Sequence, residues 1–273
     1  MPNLEMLDNL AKKVRIDILE TTCIAGSGHP GGSLSCTDIL VTLYFEILKH
    51  KPDHPEWEER DRFILSKGHA VPALYSVLAK CGYFCDTELA RLRKFGSDLQ
   101  GHPDYRLPGI EVSTGSLGQG LSIAAGIALS AKIDHKHFFT YVLLGDGECD
   151  EGQIWEAAMF AAHNKLDNLV AIVDRNQFQI DGLTEDIVAL EPFSKKWESF
   201  GWQVFEVDGN NIAALIDVFS RIKQTETGKP TVIIAHTVKG KGIKKMEGSN
   251  IYHGKCLTKE ECEVACRELM SHY

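Results

Sequence analysis

Residues 141–181, YVLLGDGECDEGQIWEAAMFAAHNKLDNLVAIVDRNQFQID, decide the fold. Residues 141–144 and 169–173 are continuous apolar runs of strand length, with no alternation of polar and apolar positions. Such strands are buried on both faces, as in a parallel sheet covered by helices. A Gly-Asp-Gly turn follows the first run, and a helix begins near Gly152. Asp146 and Asn176 therefore leave the carboxyl ends of two strands, where ligands of open α/β sheets sit. A carboxylate and an amide oxygen meeting there suit a hard cation such as Mg²⁺, which takes few protein oxygens and completes its shell with phosphate and water. Gly145 and Gly147 let the backbone turn tightly against a ligand, and the helix that follows can aim its first amides at a diphosphate.

Toward the N-terminus, residues 62–70 read as a short strand that breaks at Gly68, with Lys67 and His69 at its end and a helix over 73–80. Residues 4–25 and 33–49 carry apolar side chains at helical spacing. Between them, Gly26-Ser27-Gly28-His29-Pro30-Gly31-Gly32-Ser33 is too rich in glycine and proline for a helix. It reads as a rigid loop carrying His29 and closed by Ser33 as a helix cap. Leu99-Gln100-Gly101-His102-Pro103 is a third Gly-His element. Three histidines in separate glycine-bearing loops suit a polyol pocket, because neutral imidazole both donates and accepts and can pass a proton.

Residues 112–120 form a glycine-dense loop before an apolar helix over 121–132; the spacing is not G-x-G-x-x-G, so a dinucleotide site loses its main support. Residues 202–207 and 231–238 read as strands around a helix over 212–225. The last strand, expected at the sheet edge, runs into Lys239-Gly240-Lys241-Gly242, then Ile251-Tyr252-His253-Gly254-Lys255 and a capped helix over 258–269. The alternation predicts one α/β domain over residues 1–273: a doubly wound, mostly parallel sheet flanked by helices.

Of 273 residues, 44% are hydrophobic and 25% charged, and the formal net charge is −9. That balance disfavours nucleic acid, whose phosphates select basic surfaces. No apolar run approaches the ~20 residues of a membrane helix. The first twenty residues lack the basic-then-apolar order of a signal peptide, so the cytoplasm is expected. The eight cysteines are scattered, and the Cys81–Cys85 and Cys262–Cys266 spacings are wrong for a zinc knuckle; reduced thiols are expected.

The GDG turn with an asparagine after the next strand resembles the thiamine diphosphate (ThDP) fingerprint, and GECDEGQIWEAAMFAA resembles transketolase in particular. Ser-Gly-His-Pro-Gly, Ser-Lys-Gly-His-Ala, Gly-His-Pro and the Lys-Gly-x-Gly…His-Gly segment resemble its other signatures, in order, over residues 10–255. The resemblance implies Mg²⁺, or Ca²⁺ or Mn²⁺, on Asp146, Asn176 and the Phe178 carbonyl. It implies ThDP contacts from Lys67, His69, Gly115, Ser116, Leu117, Gly147, Ile180, Lys239 and His253. Gly115, Ser116 and Leu117 would act through the backbone, so serine at 116, where transketolases commonly carry proline, changes little. Glu151 resembles a glutamate that links paired cofactor sites across a dimer interface; the residues alone also allow an exposed first-turn glutamate.

His29, His69, His102 and His253 would hold substrate hydroxyls and shuttle protons. The chain resembles only the diphosphate-binding part of a transketolase. The expected partner is a companion subunit carrying the pyrimidine-binding and C-terminal domains, in an α2β2 complex that transfers a two-carbon ketol unit from a ketose to an aldose. Two alternatives stand beside this reading: a subunit of another ThDP enzyme, of the 2-oxo acid decarboxylase or deoxyxylulose phosphate synthase kind, and a non-catalytic ThDP-binding protein.

Overall fold

The computed structural model describes residues 2–224 and 227–271. Its sheet has five parallel strands: β1 Arg62–Leu65, β2 Thr140–Gly145, β3 Leu169–Arg175, β4 Gln203–Asp208 and β5 Thr231–His236, in the order β1-β2-β3-β5-β4. The helices are α1 Leu4–Ala25, α2 Pro30–Ser35, α3 Thr37–Thr42, α4 Val71–Cys81, α5 Gln119–Ile133, α6 Gly152–His163, α7 Thr184–Ile187, α8 Phe193–Ser199, α9 Ile212–Gln224 and α10 Lys259–Ser271. β5 is interior and β4 is the edge, which corrects the expected position of β5. Residue 225 of the expected 212–225 helix lies outside the described residues.

The continuous apolar runs behave as their composition demands. Tyr141, Leu143, Val170, Ile172, Ile233 and Ala235 face a core shared with α1, α3, α4 and α9. Their alternates, Val142, Leu144, Ala171, Val173, Val232 and Ile234, face a second core built on α5, α6 and α8. Each valine, leucine or isoleucine among them withdrawn from water contributes about 1.5–3 kcal/mol, so both faces of the sheet are held strongly. The register sets Gly145 level with Asp174 and Arg175 level with His236, so the three central strands end together.

Two expectations about the N-terminal region are corrected. The 26–33 segment is not all loop, because Pro30–Ser35 is helical, and the expected 33–49 helix is broken at Cys36 and ends in a π-helical turn over Leu43–Ile47. Proline suits the first turn of a helix, where its missing N–H is not needed. The two glycines serve close approach rather than turning. A Cβ on Gly31 would stand 2.8 Å from the Tyr252 carbonyl, and one on Gly32 would meet His69 Nε2 at 3.4 Å. Ser33 is no cap: its hydroxyl donates back to the His29 carbonyl at 2.7 Å, from inside the helix.

α8 packs on α6 through an aromatic cluster. The Trp197 ring lies 5.2 Å from Trp155 and 5.0 Å from Trp202. Trp155 Nε1 donates to the Cys149 carbonyl at 3.0 Å, tying this cluster to the turn after β2. Trp197 is fully buried and its Nε1 has no hydrogen-bond partner. Trp197→Ala should therefore cost about 3–5 kcal/mol in urea unfolding. Trp197→Phe, which keeps a ring and removes the unpaired N–H, should cost less than about 1.5 kcal/mol. Equal losses in the two variants would contradict this packing account.

Candidate active site

Asp146, Asn176 and Phe178 line one cavity of about 320 Å³ at the carboxyl ends of β1, β2, β3 and β5. Asp146 Oδ1 accepts from the Gly147 N–H at 2.8 Å and its Oδ2 from the Gln177 N–H at 2.6 Å, so one carboxylate joins the tips of β2 and β3. Burial, and then the neighbouring Asp174, push its pKa up to about 6, while Arg175 and the two amides only partly offset this. This carboxylate is short of positive charge. Asn176 Oδ1 accepts from the Phe178 N–H at 3.2 Å, and Lys239 Nζ donates to the Phe178 carbonyl at 3.2 Å. Among the described residues no cluster of three or more His, Cys, Asp or Glu can hold a metal. One carboxylate, one amide oxygen and one carbonyl form instead the sparse, hard donor set that fits Mg²⁺ sharing phosphate oxygens and water.

The floor of the cavity is a buried polar network. Asp174 Oδ2 accepts from Lys67, from Ser35 Oγ at 2.6 Å and from Asn176 Nδ2 at 3.0 Å, and its Oδ1 accepts from the Thr237 hydroxyl. Lys67 also donates to the Gly32 carbonyl at 2.9 Å. Lys67 is thus held by acceptors of the chain itself, with its ammonium at the floor of the cavity that it lines. Lys239 is the second buried ammonium, and burial, then the like charge of Lys67, pull its pKa down to about 8.

The imidazoles of His29, His69 and His253 converge at one side, with ring centroids 5.1–5.6 Å apart. Lys239 Nζ lies 2.9 Å from His253 Nδ1, which must accept from the ammonium and so leaves Nε2 to carry the ring proton. His29 Nδ1 is buried with no partner. Burial first, then nearby cations, lower His29 to about 4 and His253 to about 3, and lower His69 well below its ordinary value. All three rings are therefore neutral at physiological pH, able to donate and accept to hydroxyls.

The structure separates other expected residues from this group. His102 is exposed and packs against Gly115, where a Cβ would lie 3.1 Å from its ring. Gly115, Leu117, Gly147 and Ile180 line the cavity, whereas Ser116 and Glu151 are exposed outside it. Three contributors are added by the structure. Glu148 accepts from Ser66 Oγ, from Gly118 N–H at 2.8 Å and from Gly145 N–H at 2.9 Å, fastening the 112–120 loop to the turn after β2. Arg175 reaches Asp146 at 3.4 Å, Glu185 at 2.7 Å and Glu191 at 3.1 Å, tying β3 to the segment that carries Phe178 and Ile180. Asp174 anchors Lys67. Glu148 and Arg175 sit beside the fingerprint residues, but nothing in the sequence marks which neighbouring charge turns inward.

A parallel sheet with hard oxygen donors and glycines at the strand tips defines an α/β protein whose ligand site lies at the carboxyl ends of its strands, with donors of the kind that suit a metal-complexed phosphate. The model for the thiamine diphosphate binding domain of transketolase matches residues 7–271, and the chain belongs to that family. It is 46% identical over 265 residues to one of the subunits of the apulose-4-phosphate transketolase of Phocaeicola vulgatus, covering 97% of this chain and 94% of the relative. It is 46% identical over 264 residues to the SqwG subunit of the 6-deoxy-6-sulfo-D-fructose transketolase of a Clostridium species, covering 96% of each. Human transketolase is 42% identical over 269 residues, which are 98% of this chain but 42% of that one. The Campylobacter jejuni transketolase structure superposes with a TM-score of 0.93 at 34% identity, covering 98% of this chain and 43% of that one. The fold is the ThDP-binding fold of these enzymes.

The Lys67–Asp174 pair has a definite pH signature. Burial disfavours both charges, yet Asp174 holds the Lys67 pKa above 10.5 and Lys67 holds Asp174 below 3.8. The Asp174 contribution is present above 3.8 and lost as pH falls through its lowered pKa; the Lys67 contribution is present below 10.5 and lost as pH rises through its raised one. Lys67→Met should cost about 3–5 kcal/mol in urea unfolding at pH 7, because it strands a buried carboxylate. Adding Asp174→Asn should recover part of that loss. A wild-type-like midpoint for Lys67→Met would contradict the assignment.

Proposed function

We propose that this chain is one subunit of a two-chain, ThDP-dependent transketolase that moves a two-carbon ketol unit from a ketose or ketose phosphate to an aldose or aldose phosphate. The observation that carries the reading is three neutral imidazoles meeting beside an oxygen-donor site. The first suits a polyol, the second a metal diphosphate, and a simple 2-oxo acid needs no such array of histidines. Two relatives matched over nearly their whole length are named as transketolase subunits, which supports a companion chain bearing the pyrimidine-binding and C-terminal domains. Their names specify apulose 4-phosphate and 6-deoxy-6-sulfo-D-fructose, so the substrate class proposed here is a sugar with an anionic end. An α2β2 assembly accommodates the exposed Glu151 as a contact between paired sites.

ThDP, when bound, supplies the nucleophilic carbon and the electron sink for breaking and making the C–C bond. Asp146, Asn176 and the Phe178 carbonyl would hold Mg²⁺, and Lys239 would meet diphosphate charge. His29 and His69 would hold substrate hydroxyls and carbonyl oxygen. His253, with Nε2 protonated by virtue of the Lys239 contact, would donate a hydrogen bond there. His102, on the neighbouring loop, would meet the outer part of the sugar. Ile180 would cover the thiazolium side of the cavity. The eight cysteines form no disulfide, in keeping with a cytoplasmic setting, and no described helix is long and apolar enough to cross a membrane.

The test is reconstitution with the companion chain, ThDP and Mg²⁺ on a panel of ketose and aldose phosphates. The expected result is ketol transfer by the pair and none by this chain alone; pyruvate decarboxylation by the pair would overturn the reaction assignment. His29→Ala should lower kcat/KM by about 10²–10⁴-fold with ThDP affinity retained. Asp146→Ala should abolish Mg²⁺-dependent ThDP binding by calorimetry.

A further inference from the structure

Arg93 lies outside the cavity lining, yet it touches two of the histidine-bearing segments. It adopts a left-handed backbone, φ 58°, which a residue with a Cβ takes only when its surroundings enforce it. Its own N–H donates to the Leu99 carbonyl at 2.7 Å, which fixes that turn. Nη1 donates to Ser27 Oγ at 3.1 Å, two residues before His29. Nε, Cζ and Nη2 stand 2.6–2.8 Å from where a Cβ on Gly101 would be, so the guanidinium lies flat on the backbone immediately before His102. A side chain at 101 would push the guanidinium out of this place. Cys256, three residues after His253, also lies within the field of this cation. Among the described residues Arg93 makes no ion pair that would assign it to surface charge balance.

We infer that Arg93 is a positioning residue of the pocket, clamping the His29 loop to the His102 loop through Ser27 and Gly101. The clamp sets the spacing of two rings that, under the function proposed above, grip the same sugar. The planar fork of arginine is suited to this, because one edge can bond a hydroxyl while the face packs on a peptide. The same cation acts on the rings electrostatically: after burial it is the largest influence lowering the pKa of His29, and it also lowers that of His102. The other groups facing His29 are His102, Lys239, His69 and His253. Around His102 stand Tyr75, whose hydroxyl donates to the His102 carbonyl at 3.1 Å, and the Asp104–Arg106 pair two and four residues on. None of these links the two loops as Arg93 does.

The experiment is a histidine imidazole NMR titration of the full chain as wild type, Arg93→Gln and Arg93→Lys, with His135 and His137 at the far end of the sheet as internal controls. Arg93→Gln should raise the midpoints of His29 and His102 by about half a pH unit or more, the effect of removing a facing like charge. Arg93→Lys keeps the charge and loses the fork, so it should keep the midpoints. In the reconstituted enzyme it should raise KM for the sugar about tenfold with kcat and ThDP affinity little changed. Unchanged midpoints in a folded Arg93→Gln chain would overturn the inference. If that variant does not fold, a wild-type KM for Arg93→Lys would overturn it. The titration reads the placement of the Arg93 charge beside both rings whether or not the complex transfers ketol units, so failure of the functional reading remains distinguishable.

Discussion

A buried ammonium and a buried carboxylate, Lys67 and Asp174, hold together the ends of separate parts of the chain. Lys67 follows β1 and Asp174 lies near the end of β3; Ser35 ends α2, and Thr237 follows β5. Neither charge is accessible to water, so each is tolerable only while the other is in place. The pair therefore constrains geometry as much as it contributes stability. Asn176, whose amide nitrogen also bonds Asp174, is oriented by the same network, and the Gly32 carbonyl fixes the helix that follows His29.

On this floor the site is assembled from unlike parts. The parallel register makes β2 and β3 end level, and Asp146 bridges them through the Gln177 amide. Its raised pKa marks a buried carboxylate that a cation would relieve. Beside it, burial and the two lysines keep a cluster of imidazoles uncharged. An oxygen-donor group and a cluster of neutral imidazoles thus share one cavity, whose two lysines, Lys67 and Lys239, are both buried.

Much of this is legible in the sequence, and particular residues show why the rest is not. Asp146 and Asn176 can be placed because continuous apolar runs can only be covered strands, and a polar residue ending such a strand has one place to point. His29, His69 and His102 are marked by their glycine loops, and His253 by the family resemblance of its segment. That the rings of His29, His69 and His253 meet while His102 lies outside that cluster depends on how four segments pack, which no local pattern encodes. The Pro30-Gly31-Gly32 segment reads as loop because glycine permits turns; in the fold it permits the close approach of Tyr252 and His69 to a short helix. That Lys67 pairs with Asp174 is not legible, because the two lie more than a hundred residues apart. Among the four acids of GDGECDEG, only tertiary structure shows that Glu148 turns inward to bond Ser66 and two amides.

The proposed chemistry requires the two strand tips to act as one metal-diphosphate site. The direct measurement is a crystal structure of this chain with its companion, ThDP and Mg²⁺. The expected density is an ion at about 2.0–2.1 Å from Asp146, Asn176 and the Phe178 carbonyl, with diphosphate oxygens completing its shell. A structure in which Asp146 remains on Arg175 and Gln177 while the diphosphate binds elsewhere would contradict it.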